Sequence, residues 1–351
     1  MIVEPVRTDR GCVSYLVGCE KTRAAIAIDP ELSLAERYLA LAAQHGLGIR
    51  YLLDTHTHAD HFSGVRPLAK RLDAPAIMHA LSPAPFVDLR VEDGETIALG
   101  ELRLDVIHTP GHTRDSLCVA APGHLFTGDT LLLGATGRTD LPTGDPEALY
   151  ESLFARLLRL DGSLLVHPAH NYKSLPATTL DEQRATNPRL QQRDRAAFVA
   201  QMRSLSLGMP EHLTEALRTN QTGGRTVAQI IDEAARRVPF MTMHELRRRL
   251  DAGDPGVVIL DVREADAYAA GHVPGAIHVP RGQLELRADT VFPDPTVRIL
   301  AYCEFGKIST IAAATLRSMG FRGAIALDGG IRAWKAAGHP LEASGGARSE
   351  R

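Results

Sequence analysis

Cysteine is scarce in this chain and never closely paired. Its four residues, Cys12, Cys19, Cys118 and Cys303, include no C-x-x-C couple, which argues against a disulfide framework and a thiolate zinc site. Long apolar runs are missing as well. The first residues, Met1 to Gly11, carry Glu4, Arg7, Asp9 and Arg10, and no stretch approaches the ~20 apolar residues of a membrane span. Charge of one sign is not in excess: 39 basic residues stand against 42 acidic ones for a net charge of -3. There is thus no basic face for nucleic acid and no acidic tail. The expectation is a cytoplasmic protein with neither nucleic-acid nor membrane partners.

At 351 residues the chain exceeds one ordinary core, and two domains are expected. Up to about Tyr172, short apolar runs alternate with turns. Val13 to Gly18, Ala24 to Ile28, Tyr51 to Leu53, Ala76 to His79, Leu102 to His108, Ser116 to Ala121, His124 to Phe126 and Ser163 to Val166 predict strands. Leu32 to His45, Gly64 to Leu72 and Pro146 to Arg159 have helical spacing. This order predicts two sheets sandwiched between helices. From Leu180 to Arg237 the pattern is helical and charged, broken at Gly208-Met209-Pro210 and Gly223-Gly224, and serves as a spacer or a dimer contact. Beyond it, Val257 to Asp261, Ala276 to Val279, Val297 to Tyr302 and Ala324 to Leu327 alternate with helical segments, predicting a small α/β domain on a parallel sheet. The expected division is 1–220, a linker over 221–238, and 239–351.

The chemistry concentrates first in Thr55-His56-Thr57-His58-Ala59-Asp60-His61, directly after an apolar run. Three imidazoles and a carboxylate so close gain little from packing, whereas a divalent cation binds all of them. Thr109-Pro110-Gly111-His112-Thr113, Thr127-Gly128-Asp129-Thr130 and His167-Pro168-Ala169-His170 each add a ligand in a turn after a strand. Two metals could share this set, with His56, His58 and His112 on one, Asp60, His61 and His170 on the other, and Asp129 bridging; such a pair generates hydroxide for hydrolysis. Alternatively, His56, His112 and Asp129 form the two-histidine, one-carboxylate arrangement of a single iron. Ligand type alone leaves both open.

In order and spacing these segments resemble the metallo-β-lactamase superfamily, which implies an N-terminal αββα sandwich. Gly128-Asp129-Thr130-Leu131, Gly137-Arg138-Thr139-Asp140, His170-Asn171-Tyr172 and Asn187-Pro188-Arg189-Leu190 resemble its persulfide dioxygenase branch. That resemblance implies one Fe(II) per chain on His56, His112 and Asp129, with His58, Asp60, His61 and His170 as a hydrogen-bonded layer that orients the ligands. It also implies contacts from Arg138, Tyr172 and Arg189 to glutathione, whose carboxylates suit a guanidinium fork. The chain departs from the branch at Asn171, where relatives usually carry aspartate, at Thr136, where some carry cysteine, and at Leu141, where an aromatic is common.

A second signature is Tyr302-Cys303-Glu304-Phe305-Gly306-Lys307-Ile308-Ser309. A cysteine between a strand and a helix start meets backbone N–H groups and a positive helix end, which favour a thiolate and a bound persulfide. With Leu260-Asp261-Val262-Arg263-Glu264, Gly271-His272-Val273-Pro274-Gly275 and Leu327-Asp328-Gly329-Gly330-Ile331, this segment resembles the rhodanese family. The resemblance implies a rhodanese-like α/β domain with Cys303 as nucleophile. Asp261 and Arg263 are expected to brace the loop, His272 to be a turn or core residue, Trp334 to pack, and the other three cysteines to lie in the core.

Together the resemblances imply a fusion that oxidises glutathione persulfide with O2 and exchanges sulfane sulfur between thiosulfate, or another donor, and glutathione as co-substrate. The rival is a two-zinc thioesterase of the glyoxalase II kind. A non-enzymatic alternative makes the second domain a sulfide sensor.

Overall fold

The computed structural model describes residues 1–253 and 256–343. The chain divides into two compact units, Met1–Gly224 and Arg225–Arg351; positions 344–351 of the expected second domain lie outside the described residues.

The first unit holds two six-stranded mixed sheets. One runs Ile2–Arg7, Val13–Gly18, Ala24–Ile28, Gly48–Leu53, Ala76–His79, Leu89–Val91. The other runs Thr178–Thr179, Leu165–Pro168, His124–Gly128, Leu117–Ala121, Leu102–His108, Thr96–Leu99. Alternation along the strands decides what each face buries. Val13, Tyr15, Val17, Ile26, Ile28 and Leu53 meet Leu104, Val106, Leu117, Val119 and Phe126 between the sheets. The intervening Ala27, Leu52 and Ala76 turn outward to Tyr38, Val65 and Leu68 of the helices Ala35–Gln44 and Val65–Leu72. On the far side, Cys118, Leu125 and Val166 meet Leu149, Leu153, Phe198 and Met202. The layers are therefore αββα.

Helical expectations needed two corrections. Pro146 to Arg159 is not one helix but an α turn (Pro146–Tyr150), a π turn (Glu151–Arg156) and a 3-10 turn (Leu157–Arg159). The wider π turn keeps the apolar residues Leu149, Leu153 and Leu157 all on the core. Nor is Leu180 to Arg237 a spacer. Its helix Arg195–Arg203 buries Phe198, Val199 and Met202, and its helix Leu213–Thr222 buries Ala216, Thr219 and Asn220. Both belong to the first unit.

The second unit is a five-stranded parallel sheet ordered Phe240–Met241, Ile325–Leu327, Ile299–Tyr302, Val258–Asp261, Ile277–His278. Helices cover both faces through two apolar clusters, one around Leu260, Ala301 and Leu316, the other around Ile259, Leu300 and Trp334. The stretch 221–238, expected as a linker, contains the helix Val227–Ala235, started by a Thr226–Gln229 capping box. It packs on the helix Lys307–Ser318. The glycine pair before it masked that apolar face in the sequence. Among the described residues no helix is long and apolar enough to cross a membrane.

Candidate functional site

Each expected ligand follows the C-terminal end of a strand: His56 after Gly48–Leu53, His112 after Leu102–His108, Asp129 after His124–Gly128 and His170 after Leu165–Pro168. The two sheets bring them together at one edge. His56, His112 and Asp129 offer ligand atoms within 4.8 Å of one another, and so do His58, Asp60 and His61, and Cys12, Asp60 and His170.

The hydrogen bonds around these rings fit a metal. Thr55 Oγ1 donates to Asp29 at 2.9 Å and sits 3.0 Å from His56 Nδ1, so it accepts from that nitrogen and leaves Nε2 as the lone pair. His56 Nε2 is buried and has no partner, an arrangement costly unless something binds there. Burial first, then the imidazoles of His58 and His112, hold His56 well below its usual pKa, in the neutral form that ligates. His112 donates from Nδ1 to the Arg138 carbonyl at 2.8 Å, turning Nε2 toward Asp129 Oδ2, 3.6 Å away. Burial disfavours charge on Asp129, but His170, His112 and His56 outweigh it and keep the carboxyl well below its ordinary range.

His170 is engaged at both nitrogens, 2.7 Å from Asp129 Oδ1 and 2.7 Å from Asp60 Oδ2. Although burial opposes it, these carboxylates raise its pKa well above the usual value. His58 stands 3.2 Å from Asp29 and 3.5 Å from Asp54. His61 lies 3.4 Å from Asp60; burial and His58 depress it, yet Asp60 prevails and lifts it to about 9. The sequence reading missed Asp29, Asp54 and Cys12. Cys12 is not a core residue: it is half-buried, with Sγ 3.7 Å from Asp60 Oδ2. Burial pushes its thiol up, but His170 and His61 bring it down to about 7.

A cavity of about 290 Å³ opens on this centre, lined by Ala59, His112, Asp129, Arg138, His170 and Tyr172 among others. Thr136 and Leu141, two of the departures from the persulfide dioxygenase pattern, also line it. The third, Asn171, accepts from Leu175 N–H and donates to its carbonyl, folding the adjacent loop. The three expected glutathione contacts fare differently. Tyr172 is exposed and stacks on His170 with ring centres 5.1 Å apart. Arg138 spends its fork on Asp140 at 2.6 and 2.7 Å and donates to the Gly208 carbonyl at 2.7 Å. It is thus a tether for the segment Leu207-Gly208, which lines the cavity, and not an open carboxylate receptor. Arg189 sits on the turn Pro188–Leu190, outside the cavity lining.

In the second unit Cys303 follows the strand Ile299–Tyr302, and its Sγ accepts from the Ser309 backbone N–H at 3.3 Å, in the first turn of the helix Lys307–Ser318. Ser309 Oγ donates to the Gly306 carbonyl. Glu304 lies 3.4 Å from Arg263, which pairs with the fully buried Asp261 at 2.7 Å and donates to the Gly271 carbonyl at 2.7 Å. Phe305 and Ile308 are exposed, with Arg332 over the Phe305 ring, and Lys307 is exposed on the same loop. Gly330 closes the loop from behind at φ 61°; a Cβ there would lie 2.5 Å from the Cys303 carbonyl oxygen. His272 is buried against Tyr268, and Trp334 is fully buried with its indole N–H donating to the Pro340 carbonyl.

Comparison with known proteins agrees with both halves. Residues 7–170 match the metallo-beta-lactamase superfamily and residues 242–337 the rhodanese-like domain. The mitochondrial persulfide dioxygenase ETHE1 of Bos taurus is 36% identical over 60% of this chain and 84% of its own length. A hydroxyacylglutathione hydrolase of Anaeromyxobacter dehalogenans is 42% identical over 49% of this chain and 66% of its own length. The crystal structure of ETHE1 from Myxococcus xanthus superposes with a TM-score of 0.62 at 34% identity, covering 64% of this chain and all of that one. This is a metal-binding enzyme of sulfur metabolism: the chain belongs to the persulfide dioxygenase family of the metallo-β-lactamase superfamily and carries a rhodanese-like domain behind it.

Proposed function

We propose that the first domain oxidises glutathione persulfide with dioxygen, using one Fe(II) per chain held by His56, His112 and Asp129, and that the second transfers sulfane sulfur through Cys303. The observation that carries the choice of one ion over two is His170. Both of its nitrogens face carboxylates, which supports a brace between Asp60 and Asp129 rather than a ligand to a second metal. His58 and His61 each lean one nitrogen on Asp29 and Asp60, while His58 Nδ1 and His61 Nε2 are buried without a partner, as His56 Nε2 is, so the metal count tested below is what separates one ion from two.

Ferrous iron in such a site supplies adjacent open positions for a sulfur ligand and dioxygen. The protein's part is placement. Asp129, kept ionised by its imidazole neighbours, holds negative charge at the centre. Tyr172 offers an exposed ring beside the cavity for the glutathione peptide, while Arg189, outside the lining, could reach a carboxylate only from the cavity's rim. In balance, glutathione persulfide, O2 and water give glutathione and sulfite; the terminal sulfur is oxidised and dioxygen reduced.

At Cys303 the thiolate attacks the sulfane sulfur of thiosulfate, the sulfur–sulfur bond breaks, and sulfite leaves. Glutathione thiolate then takes that sulfur, giving glutathione persulfide and restoring the thiol, with no net oxidation. The Ser309 N–H and the positive end of its helix stabilise the anion in both forms. Four free cysteines suit work in the reducing cytoplasm.

The test is the metal content of protein purified without added metal. Iron near one equivalent per chain, with oxygen uptake and sulfite on adding glutathione persulfide, is expected. Two zincs and hydrolysis of an acyl-glutathione would overturn the proposal in favour of the thioesterase. For the carrier, Cys303→Ser should abolish transfer and spare oxygen uptake on preformed persulfide; persistent transfer would refute it.

A further inference from the structure

We propose that Asn220 is a positioning residue that fixes the metal-binding loop from outside it. The inference rests on the reading that His56 to His61 surround a metal. Asn220 lies in the helix Leu213–Thr222 and is buried. Its Nδ2 donates to two backbone carbonyls of the loop, His58 at 2.9 Å and His61 at 2.8 Å. Its Oδ1 accepts from the Ser63 backbone N–H at 3.0 Å.

Between the strand Gly48–Leu53 and the helix Val65–Leu72 the chain has no regular secondary structure. Its buried carbonyls therefore have no ladder partners and must find others. A carboxamide is the side chain that gives two donated bonds and one accepted bond from one rigid plane, and here all three are used. A second path joins the same groups: Ser63 Oγ donates to Asp54 Oδ2 at 2.6 Å, and Asp54 Oδ1 lies 3.5 Å from His58 Nε2. The clamp thus holds His58 at its carbonyl, while Ser63 and Asp54 lead from the same clamp toward its ring. Because His56 and His61 bracket the clamped carbonyls, loop geometry at the metal depends on a helix far along the chain.

The experiment uses the full chain with Asn220→Ala, Asn220→Asp and the control Thr219→Ala. Thr219 is buried in the same helix, and its hydroxyl donates to the Glu215 and Ala216 carbonyls of that helix. Each protein is loaded with Fe(II) or Co(II), and three things are measured: metal release to a chelator, the visible Co(II) spectrum, and amide hydrogen exchange across 55–63. Asn220→Asp is the same size but turns an anionic oxygen toward two carbonyls, so it keeps the test usable if Asn220→Ala does not fold. Expected are metal release faster by roughly ten- to a hundredfold in both Asn220 variants, a shifted Co(II) spectrum and faster loop exchange. Thr219→Ala should behave as the parent, and sulfur transfer through Cys303 should be unchanged throughout. Wild-type release and exchange rates in a folded Asn220 variant, or equal effects in Thr219→Ala, would overturn the assignment. Failure of the parent protein to hold metal would count against the metal reading instead, and the exchange rates would still decide the role of Asn220.

Discussion

Removing the Arg263 side chain should unfold the second domain's active-site support at a measurable cost. The guanidinium makes three contacts to Asp261, Nε to both carboxylate oxygens at 3.1 Å and Nη2 to Oδ2 at 2.7 Å. Asp261 is fully buried. Arg263→Ala therefore strands a carboxylate without its counter-charge, a change costing about 3–5 kcal/mol. The lower part of that range applies, because the Arg263 backbone N–H still donates to Asp261 Oδ1 at 2.9 Å. At about 4 °C per kcal/mol, where the figures for smaller and larger domains meet, the midpoint should fall by ~10 °C. Asp261→Ala in the same background should cost far less than the sum of the two single changes, since it removes the stranded charge. Trp334 is the only tryptophan in the chain and is fully buried in this domain, so its fluorescence during denaturant or thermal unfolding reports this unit selectively. A single-variant cost below about 1 kcal/mol, or strict additivity in the double variant, would refute the buried-pair argument.

Three further outcomes are expected. A Cβ at Gly137 would stand 1.9 Å from the Asp129 carbonyl, whereas one at Gly330 would crowd the Cys303 and Glu304 carbonyls at 2.5 and 2.7 Å; Gly137→Ala should lower bound metal and spare sulfur transfer, Gly330→Ala should do the reverse, and effects on both activities would refute the separation. Arg138→Ala frees the Gly208 segment and should raise KM for glutathione persulfide more than it lowers kcat, as read by oxygen uptake. His167, 2.8 Å from His124, is held at about 4 by burial and that neighbour. Its folded pKa lies below the unfolded value near ~6.5, so the unfolded chain takes up the proton first. The His167 contribution to first-domain stability should therefore be fully present above about pH 6.5 and be lost as pH falls toward 4, a slope that calorimetry should find shallower in His167→Gln.

What could be read from the sequence follows from where the information is local. The density of imidazoles from His56 to His61 declares a metal centre by residue type alone, and the interior strands announce themselves by continuous apolar runs. Edge strands do not. Ile2–Arg7 carries Glu4, Pro5 and Arg7 at the end of its sheet, where a missing N–H and exposed charges are tolerated, and this erased its pattern. Tertiary contacts were equally hidden. Arg138 looked free for a substrate carboxylate although Asp140, which takes its fork, stands two positions on, and its further tie to the Gly208 carbonyl, 70 positions away, was hidden. Asn220 sits 162 positions from the His58 carbonyl that it binds, with no signature beyond an amide in a helix. Cys12 looked like core because it borders an apolar strand, although the turn before that strand carries it to Asp60.

The proposed donor set straddles a seam. His56 comes from one sheet, and His112 and Asp129 come from the other, so the bite of the centre is set by how far apart the sheets rest. That spacing is kept by the interdigitated layer around Leu53, Val106 and Phe126. Side chains that never touch the ion thereby act as its calliper, and trimming one of them should register as a change in metal affinity or reduction potential before it registers as loss of fold.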